Sequence, residues 1–290
     1  MTRKPHYALL GGGRLARHLR HYLHLEGLAA SGWARDPRSD LNTHQDPDPE
    51  RRLRATVADA THVLLLVADD AIAALLRQYP FLHQHRLVHC AGALSLPGVA
   101  GAHPLMTFGR DLYDRETYRS IPFMVERGQD FADLFPGLAN PHHEIAPEQK
   151  ALYHALCVMA GNFPQVLWQA VAGRLGDELA VPPTALAAYL RQSLDNFLAD
   201  PDGALTGPLA RGDMRTLERN QAALGSGPLH DLYQDFVRFH EGLDPADHGQ
   251  VNGPHLAPGH DPHARPDTEQ DQHPPSRQPP SQQPLRRSAS

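Results

Sequence analysis

The chain has 290 residues, of which 41% are hydrophobic and 21% charged, and it carries a net charge of −6. This length allows one large folded domain or two of ordinary size, and the acidic balance excludes the global basic field that nucleic-acid-binding proteins carry. Two cysteines, Cys90 and Cys157, are too few for a disulfide framework or a cysteine-rich metal site.

No apolar run approaches the roughly 20 residues that a transmembrane helix needs, and the apolar part of the N-terminus is too short for a signal peptide. We therefore expect a cytoplasmic protein with no membrane partner, no nucleic-acid partner and no bound metal.

Strand and helix signals alternate over residues 1–140. A short apolar strand precedes the glycines of YALLGGGRLA, and a helical stretch follows them. The run THVLLLVADDAI is almost continuously apolar, as in a parallel strand buried on both faces. Other predicted strands are Leu28–Arg35, Arg86–Ala93, GAHPLMTF and Ile121–Glu126. This alternation predicts an α/β domain with a doubly wound parallel sheet.

The strand signals vanish after about Pro141, and helical spacing continues to about residue 240. Residues 141–240 are therefore predicted to form an all-α domain, in which Pro164 should break or kink its helix just after Asn162.

Residues 241–290 contain ten prolines, five histidines and no aromatic residue. Such a segment buries too little apolar surface to offset the entropy of ordering, so we predict a disordered tail. Its histidines could also bind a transition metal loosely.

The glycine cluster after the first strand fits the pattern G-x-G-x-x-A through Gly11, Gly13 and Ala16, with Arg14 and Leu15 between them. In a dinucleotide-binding fingerprint, the first glycine makes the turn and the second lets the backbone approach a pyrophosphate. Ala16 would pack the helix close to the sheet, and the free N–H groups at the helix start would bind the anion. An ordinary strand–helix turn is the alternative.

The end of the second strand bears on the choice of cofactor. Arg35 lies where NAD sites place an acidic residue, and its guanidinium would suit the 2′-phosphate of NADP (NADPH). The neighbouring Asp36 could serve NAD instead, or the two could form a surface pair in a loop.

Two further strand ends point towards the same crevice, because open α/β sheets bind ligands at the carboxyl ends of their strands. Val67, Ala68 and Asp69 follow the third strand, and the small Ala68 would let a cofactor lie over the chain. Asp69 and Asp70 could equally be helix N-caps. His89 ends the next strand and would face the nicotinamide pocket, or be a hydrogen-bonded structural histidine.

In the helical half, Lys150 and His154 are spaced i, i+4 and share one helix face. This pair could protonate a carbonyl oxygen while hydride arrives at its carbon, with Asn162 near the substrate. A solvated lysine beside a packed histidine is the alternative.

The segment ALTGPLARGD contributes three more candidate substrate-binding residues, Thr206, Arg211 and Asp213. Arg211 could bind a substrate carboxylate with both arms of its guanidinium, and Asp213 would cap the following helix. A structural turn with an exposed arginine is the alternative.

Taken together, GGGRLA, VADDAI, VHCAGALS, GAHPLMTFG, ALYHALCVMAGNF and ALTGPLARGD resemble a bacterial family of Rossmann-like proteins with a helical C-terminal domain of unknown function. That family is similar to the pyrroline-5-carboxylate, ketopantoate and 6-phosphogluconate type reductases. The resemblance implies an NADP-binding domain, and a helical domain that dimerises and lines the active site. It also implies a helix lysine with an asparagine four residues later, whereas here Lys150 is followed by His154.

The sequence therefore predicts an NADP-dependent oxidoreductase that transfers hydride to a small keto acid or imine acid. A non-catalytic NADP(H)-binding sensor or scaffold protein is the alternative.

Overall fold

Seven strands form one sheet, in the order β2-β1-β3-β4-β5-β6-β7, in the computed structural model, which describes residues 4–243. Strands β1 to β5 are mutually parallel, β6 runs antiparallel to β5, and β7 runs parallel to β6. The strands are β1 His6–Leu10, β2 Ala29–Trp33, β3 His62–Leu65, β4 Arg86–His89, β5 Ala100–Pro104, β6 Phe123–Glu126 and β7 His142–Ile145.

Helices connect these strands and cover both faces of the sheet. They are α1 Arg14–Leu25, α2 Pro49–Val57, α3 Asp69–Gln78, α4 Arg115–Ser120 and α5 Phe131–Leu134, with a 3-10 helix at Pro80–Gln84. Along β1, Tyr7 and Leu9 belong to one apolar cluster, whereas Ala8 and Leu10 belong to another. Because alternate residues of a strand point to opposite faces, both faces of the sheet are buried, and the predicted doubly wound α/β fold is confirmed.

The far edge of the sheet differs from the prediction in two ways. Strand β6 is antiparallel, because strand direction depends on the chain's path and not on residue type. A seventh strand, β7, lies after Pro141, where no strand was expected. Its first three residues, His142, His143 and Glu144, are exposed, so this edge strand lacks the apolar signal of the buried ones.

Contacts divide the chain into two units, and the described residues of each are 4–174 and 175–243. The helix α6, Lys150–Leu179, runs across this division after a 3-10 turn at Pro147–Gln149. Pro164 lies inside this continuous helix, so of the two predicted outcomes the break does not occur, and the kink stays a prediction. Proline lacks the N–H that would bond the preceding turn, but the rest of this 30-residue helix continues on either side.

The described part of the second unit is helical, as predicted. A 3-10 helix, Pro183–Ala185, precedes α7 Leu186–Ala199, α8 Gly207–Ala210, α9 Met214–Ala223 and α10 Pro228–Gly242. Within residues 4–243, no helix has the length and apolar character needed to cross a membrane. The tail is predicted over residues 241–290, but its first two residues belong to α10; from residue 244 onward the tail, with its histidines, lies outside the described residues.

Candidate functional site

The turn between β1 and α1 requires glycine at position 11. Gly11 has a φ of +153°, and a Cβ placed on it would lie 2.3 Å from the carbonyl oxygen of Leu66. Its N–H donates to the Trp33 carbonyl at 2.8 Å, which ties the turn to the end of β2. The turn therefore brings the ends of β1, β2 and β3 into close contact, an approach that any side chain at position 11 would block.

The start of α1 is open at Gly13. Gly13 is the N-cap residue and provides no side-chain cap, and a Cβ built on it would meet no atom within 4 Å. The helix proper begins at Arg14 and Leu15, and Ala16 is fully buried against the sheet. Since the first N–H groups of a helix have no partner within the helix, this open end is suited to an anion.

A cavity of about 330 Å³ lies over this turn. Five of the predicted cofactor-binding residues line it, from three different strand ends. Its lining residues are Gly11, Gly12, Gly13, Trp33, Arg35, Leu66, Val67, Ala68, Ala71 and Leu75.

At the β2 end of the cavity, one arginine is available and the neighbouring carboxylate is occupied. Arg35 is exposed, and its guanidinium has no ion pair or hydrogen bond with any other described residue. Asp36 instead accepts hydrogen bonds from the Arg38 side chain at 3.1 and 3.0 Å and from the Arg38 N–H at 2.9 Å. These bonds lower the pKa of the Asp36 carboxyl below its usual value.

At the β3 end, Val67 and Ala68 line the cavity and Asp69 begins α3. The N-cap position belongs to Ala68, so the predicted capping by Asp69 or Asp70 is wrong: the helix begins one residue too early for either side chain to cap it. Both carboxylates instead lie in the first helical turn, where negative charge is favourable.

A buried ionic cluster spans the neighbouring strands β4, β5 and β6. The Lys150 ammonium, 2% exposed, donates to the Oε1 atom of Glu126 at 2.7 Å, and this carboxylate oxygen is 4.0 Å from the Nε2 atom of His89. Gly101 makes room for the pair, because a Cβ there would lie 2.5 Å from Glu126 Oε1 and 2.6 Å from Lys150 Nζ. The cluster fixes the first residue of α6 against the sheet.

His89 is held neutral in this cluster. Burial, followed by the nearby Lys150 charge, lowers its pKa to about 4. Its Nδ1 accepts the N–H of Ala91 at 3.2 Å, so the proton of the neutral ring lies on Nε2. That Nε2 has no hydrogen-bond partner, and His89 is fully buried and does not line the cavity.

His154 lies at the ends of β4 and β5, one helical turn beyond Lys150. Its ring covers Gly92 so closely that a Cβ on that glycine would lie 2.3 Å from the His154 Cδ2 atom. It also packs edge-on against His103, with ring centroids 5.8 Å apart. The Tyr153 hydroxyl and His103 Nδ1 form a hydrogen bond of 2.7 Å, and burial, then His154 and Lys150, lower the pKa of His103 to about 4.

The predicted substrate-binding residues belong to both units. Asn162 is exposed on α6 within the first unit. Thr206 and Arg211 flank the short α8 in the second unit, and Asp213 caps α9 by accepting the Thr216 N–H at 3.1 Å, as predicted.

Three residues that the structure singles out were not predicted from the sequence. Glu126 and Gly101 complete the ionic cluster, and Arg52 of α2 is a buried arginine beneath the β2 end. For Glu126, the available signal was a single charge at the end of the apolar run IPFMVE. For Arg52, it was the position next to Leu53, which with Val57 forms the apolar i, i+4 pair of this helix.

Residues 126–238 match the model of a family described as a domain of unknown function (DUF2520). A comparison with curated proteins gave no match.

Several solved structures share the fold. A protein described as a candidate NADP oxidoreductase from Bacteroides fragilis is 21% identical with a TM-score of 0.64, over 82% of this chain and 98% of that one. A protein from Thermotoga maritima is 23% identical with a TM-score of 0.55, over 81% of this chain and 96% of that one. A reductive aminase from Aspergillus terreus, in complex with NADPH and ethyl levulinate, is 15% identical with a TM-score of 0.54, over 83% of this chain and 95% of that one.

At these identities the likeness concerns the fold, and it agrees with the predicted architecture. The predicted resemblance to Rossmann-like proteins with a helical C-terminal domain of unknown function is confirmed to this extent: residues 126–238 match the model of that domain of unknown function, and the chain shares its α/β fold with these solved structures.

Proposed function

We propose that the protein is an NADP-dependent oxidoreductase that transfers hydride to a small keto acid or imine acid. The observation that carries the proposal is the cavity over the β1–α1 turn, with open backbone at Gly13 and an unpaired Arg35 at its β2 end. The similar structure of a reductive aminase, which was determined with NADPH, supports a nicotinamide dinucleotide.

The residues of the cavity fit this cofactor. The backbone at Gly13 and the start of α1, with Arg14 and Leu15, would hold the pyrophosphate, and Arg35 would pair with the 2′-phosphate. Asp36 is engaged by Arg38, so it competes poorly for a ribose hydroxyl. The bound cofactor would supply the hydride.

For the proton, we propose His154 as the donor and Lys150 as the residue that positions it. His154 is half-buried and has no hydrogen-bond partner among the described residues, so an imidazole nitrogen is free to meet a substrate. Lys150 is enclosed and donates to Glu126, and it thereby fixes the first turn of the helix that carries His154.

For the substrate, we propose that Arg211 binds a carboxylate and that Asn162, Thr206 and Asp213 contribute polar contacts. Arg211 is exposed, and its guanidinium has no salt bridge within residues 4–243. A planar guanidinium recognises a carboxylate in a two-bond geometry, which suits a small organic acid.

We also propose a homodimer formed through α6. A stripe of large apolar side chains on this helix is 52–65% exposed, and its 4-3-4-3 spacing is that of helices that pack along each other. The stripe consists of Leu152, Leu156, Met159, Phe163 and Val166. Sedimentation velocity tests this assembly, and a monomer at all concentrations would contradict it.

The activity is tested by following NADPH oxidation over a panel of 2-keto acids, with and without amines, and of cyclic imines. His154→Ala should lower kcat by about 10²-fold, within the range for loss of a general acid, and leave the Kd for NADPH unchanged. His143→Ala, at an exposed histidine of β7, is the matched control. Tight NADPH binding without turnover of any substrate would contradict the enzyme and support a non-catalytic sensor.

A further inference from the structure

Arg52 is a buried arginine without a carboxylate partner. It is 2% exposed, and it forms no salt bridge within the described residues. Its Nη2 atom donates to the carbonyl oxygens of Ala34 at 3.3 Å and Arg35 at 3.2 Å, and its Nη1 donates to the carbonyl of Asp46. Its Nε is buried and has no partner. Buried charges are normally paired with an opposite charge, whereas Arg52 is compensated only by carbonyl oxygens.

The hydrogen bonds of Arg52 orient the backbone at the end of β2. In a trans peptide the C=O and N–H groups point in opposite directions. Because the carbonyls of Ala34 and Arg35 face Arg52, the N–H groups of Arg35 and Asp36 face away from it. Neither N–H has an acceptor among the described residues.

The side chain of Asn42 fixes the same loop independently. Its Oδ1 accepts the Ala34 N–H at 2.8 Å, and its Nδ2 donates to the Asp36 carbonyl at 2.8 Å. The loop therefore holds two free N–H groups beside the unpaired Arg35 guanidinium before any ligand binds. Such preorganisation lowers the cost of binding.

The charge of Arg52 also acts across the loop. The pKa of the exposed Asp36 carboxyl is lowered mainly by its hydrogen bonds to Arg38 and, to a smaller extent, by the charge of Arg52. A buried cation is poorly screened by water, so it raises the positive potential where Arg35 lines the cavity.

We propose that Arg52 is a specificity-determining positioning residue, which turns the Arg35 and Asp36 N–H groups outward and adds a buried positive charge behind them, so that this loop binds the 2′-phosphate of NADP. The inference rests on the proposed function and deepens it. Arg52 does not line the cavity, so its effect is exerted through the loop and through its charge.

The test is the ratio of the Kd values for NADH and NADPH, measured by calorimetry. Arg52→Gln should lower this ratio by about tenfold, the effect of one unit charge near a phosphate, and change the Kd for NADH by less than about twofold. Arg52→Lys, which keeps the charge, should retain more of the preference than Arg52→Gln. Arg51→Gln, at the exposed neighbouring arginine, is the matched control and should leave the ratio unchanged.

An unchanged ratio in Arg52→Gln, or an equal loss of affinity for both dinucleotides, would overturn the inference alone. Failure of the wild-type chain to bind either dinucleotide would overturn the proposed function as well. If Arg52→Gln does not fold, the wild-type chain provides a second test by nuclear magnetic resonance. Titration with 2′-AMP should shift the backbone amide resonances of Arg35 and Asp36 more than titration with 5′-AMP does. Equal shifts with both nucleotides would also overturn the inference.

Discussion

Replacing Glu126 by glutamine tests the buried ionic cluster most severely. Glu126 is 7% exposed and Lys150 is 2% exposed, so the substitution leaves the ammonium enclosed without its anion. Removing one partner of a buried ion pair costs about 3–5 kcal/mol. For a domain of this size, that corresponds to a fall in Tm of about 6–20 °C.

Thermal unfolding monitored by circular dichroism measures this loss. Glu144→Gln, at an exposed glutamate of the neighbouring strand β7, is the matched control and should change Tm little. Replacing both partners by apolar residues, in Glu126→Leu/Lys150→Met, should recover much of the stability, since a buried ion pair contributes less than its rupture costs.

If Glu126→Gln unfolded at the wild-type temperature, the buried ion pair would not stabilise the fold as expected. If the double variant were less stable than the single one, the loss of stability could not come from an unpaired charge.

Two further predictions concern the glycine turn and pH. Gly11→Ala should prevent stable folding, because its Cβ would lie 2.3 Å from the Leu66 carbonyl oxygen. Gly13→Ala, whose Cβ would meet no atom within 4 Å, should fold normally and lose dinucleotide affinity. Thermal unfolding measures the first effect and calorimetric titration the second, and normal folding of Gly11→Ala would contradict the expected steric clash. The folded-state pKa of His89 is about 4, below its ordinary value of 6.5, so the unfolded chain binds the extra proton first. This contribution to stability is complete above pH 6.5, and about 3 kcal/mol of it is lost as the pH falls towards 4. The free energy of unfolding, measured by denaturant titration, should therefore depend less on pH in His89→Gln than in the wild-type chain. An identical pH dependence in the two proteins would show that His89 makes no such contribution.

The β1–α1 turn could be predicted because its residues are contiguous. The spacing of Gly11, Gly13 and Ala16 encodes a turn, an open helix end and a close helix–sheet contact, and all three occur. Arg35 was located in the same way, by its distance along the chain from the glycines.

The ionic cluster could not be predicted, because its members meet only through the register of the sheet. His89 lies opposite Gly101 across β4 and β5, and Glu126 approaches from the antiparallel β6. No local sequence pattern predicts the direction of β6 or the need for a glycine at position 101. For the same reason, Lys150 could be placed on a helix face but not identified as the partner of a buried glutamate.

Arg52 illustrates a second limit. Its position on the inner face of α2 follows from helical spacing, but its hydrogen bonds reach the carbonyls of a loop about 17 residues earlier in the chain. Helical spacing predicts that a side chain is buried, but it does not predict which backbone groups that side chain contacts.

We propose that the cavity over the β1–α1 turn binds NADP through Arg35. The most direct test is calorimetric titration of the wild-type chain and Arg35→Ala with NADPH and NADH, with Arg77→Ala as the exposed-arginine control. We expect the wild-type chain and Arg77→Ala to prefer NADPH and Arg35→Ala to lose that preference while still binding NADH. Equal affinity of the wild-type chain for the two dinucleotides would contradict the proposed recognition of the 2′-phosphate by Arg35.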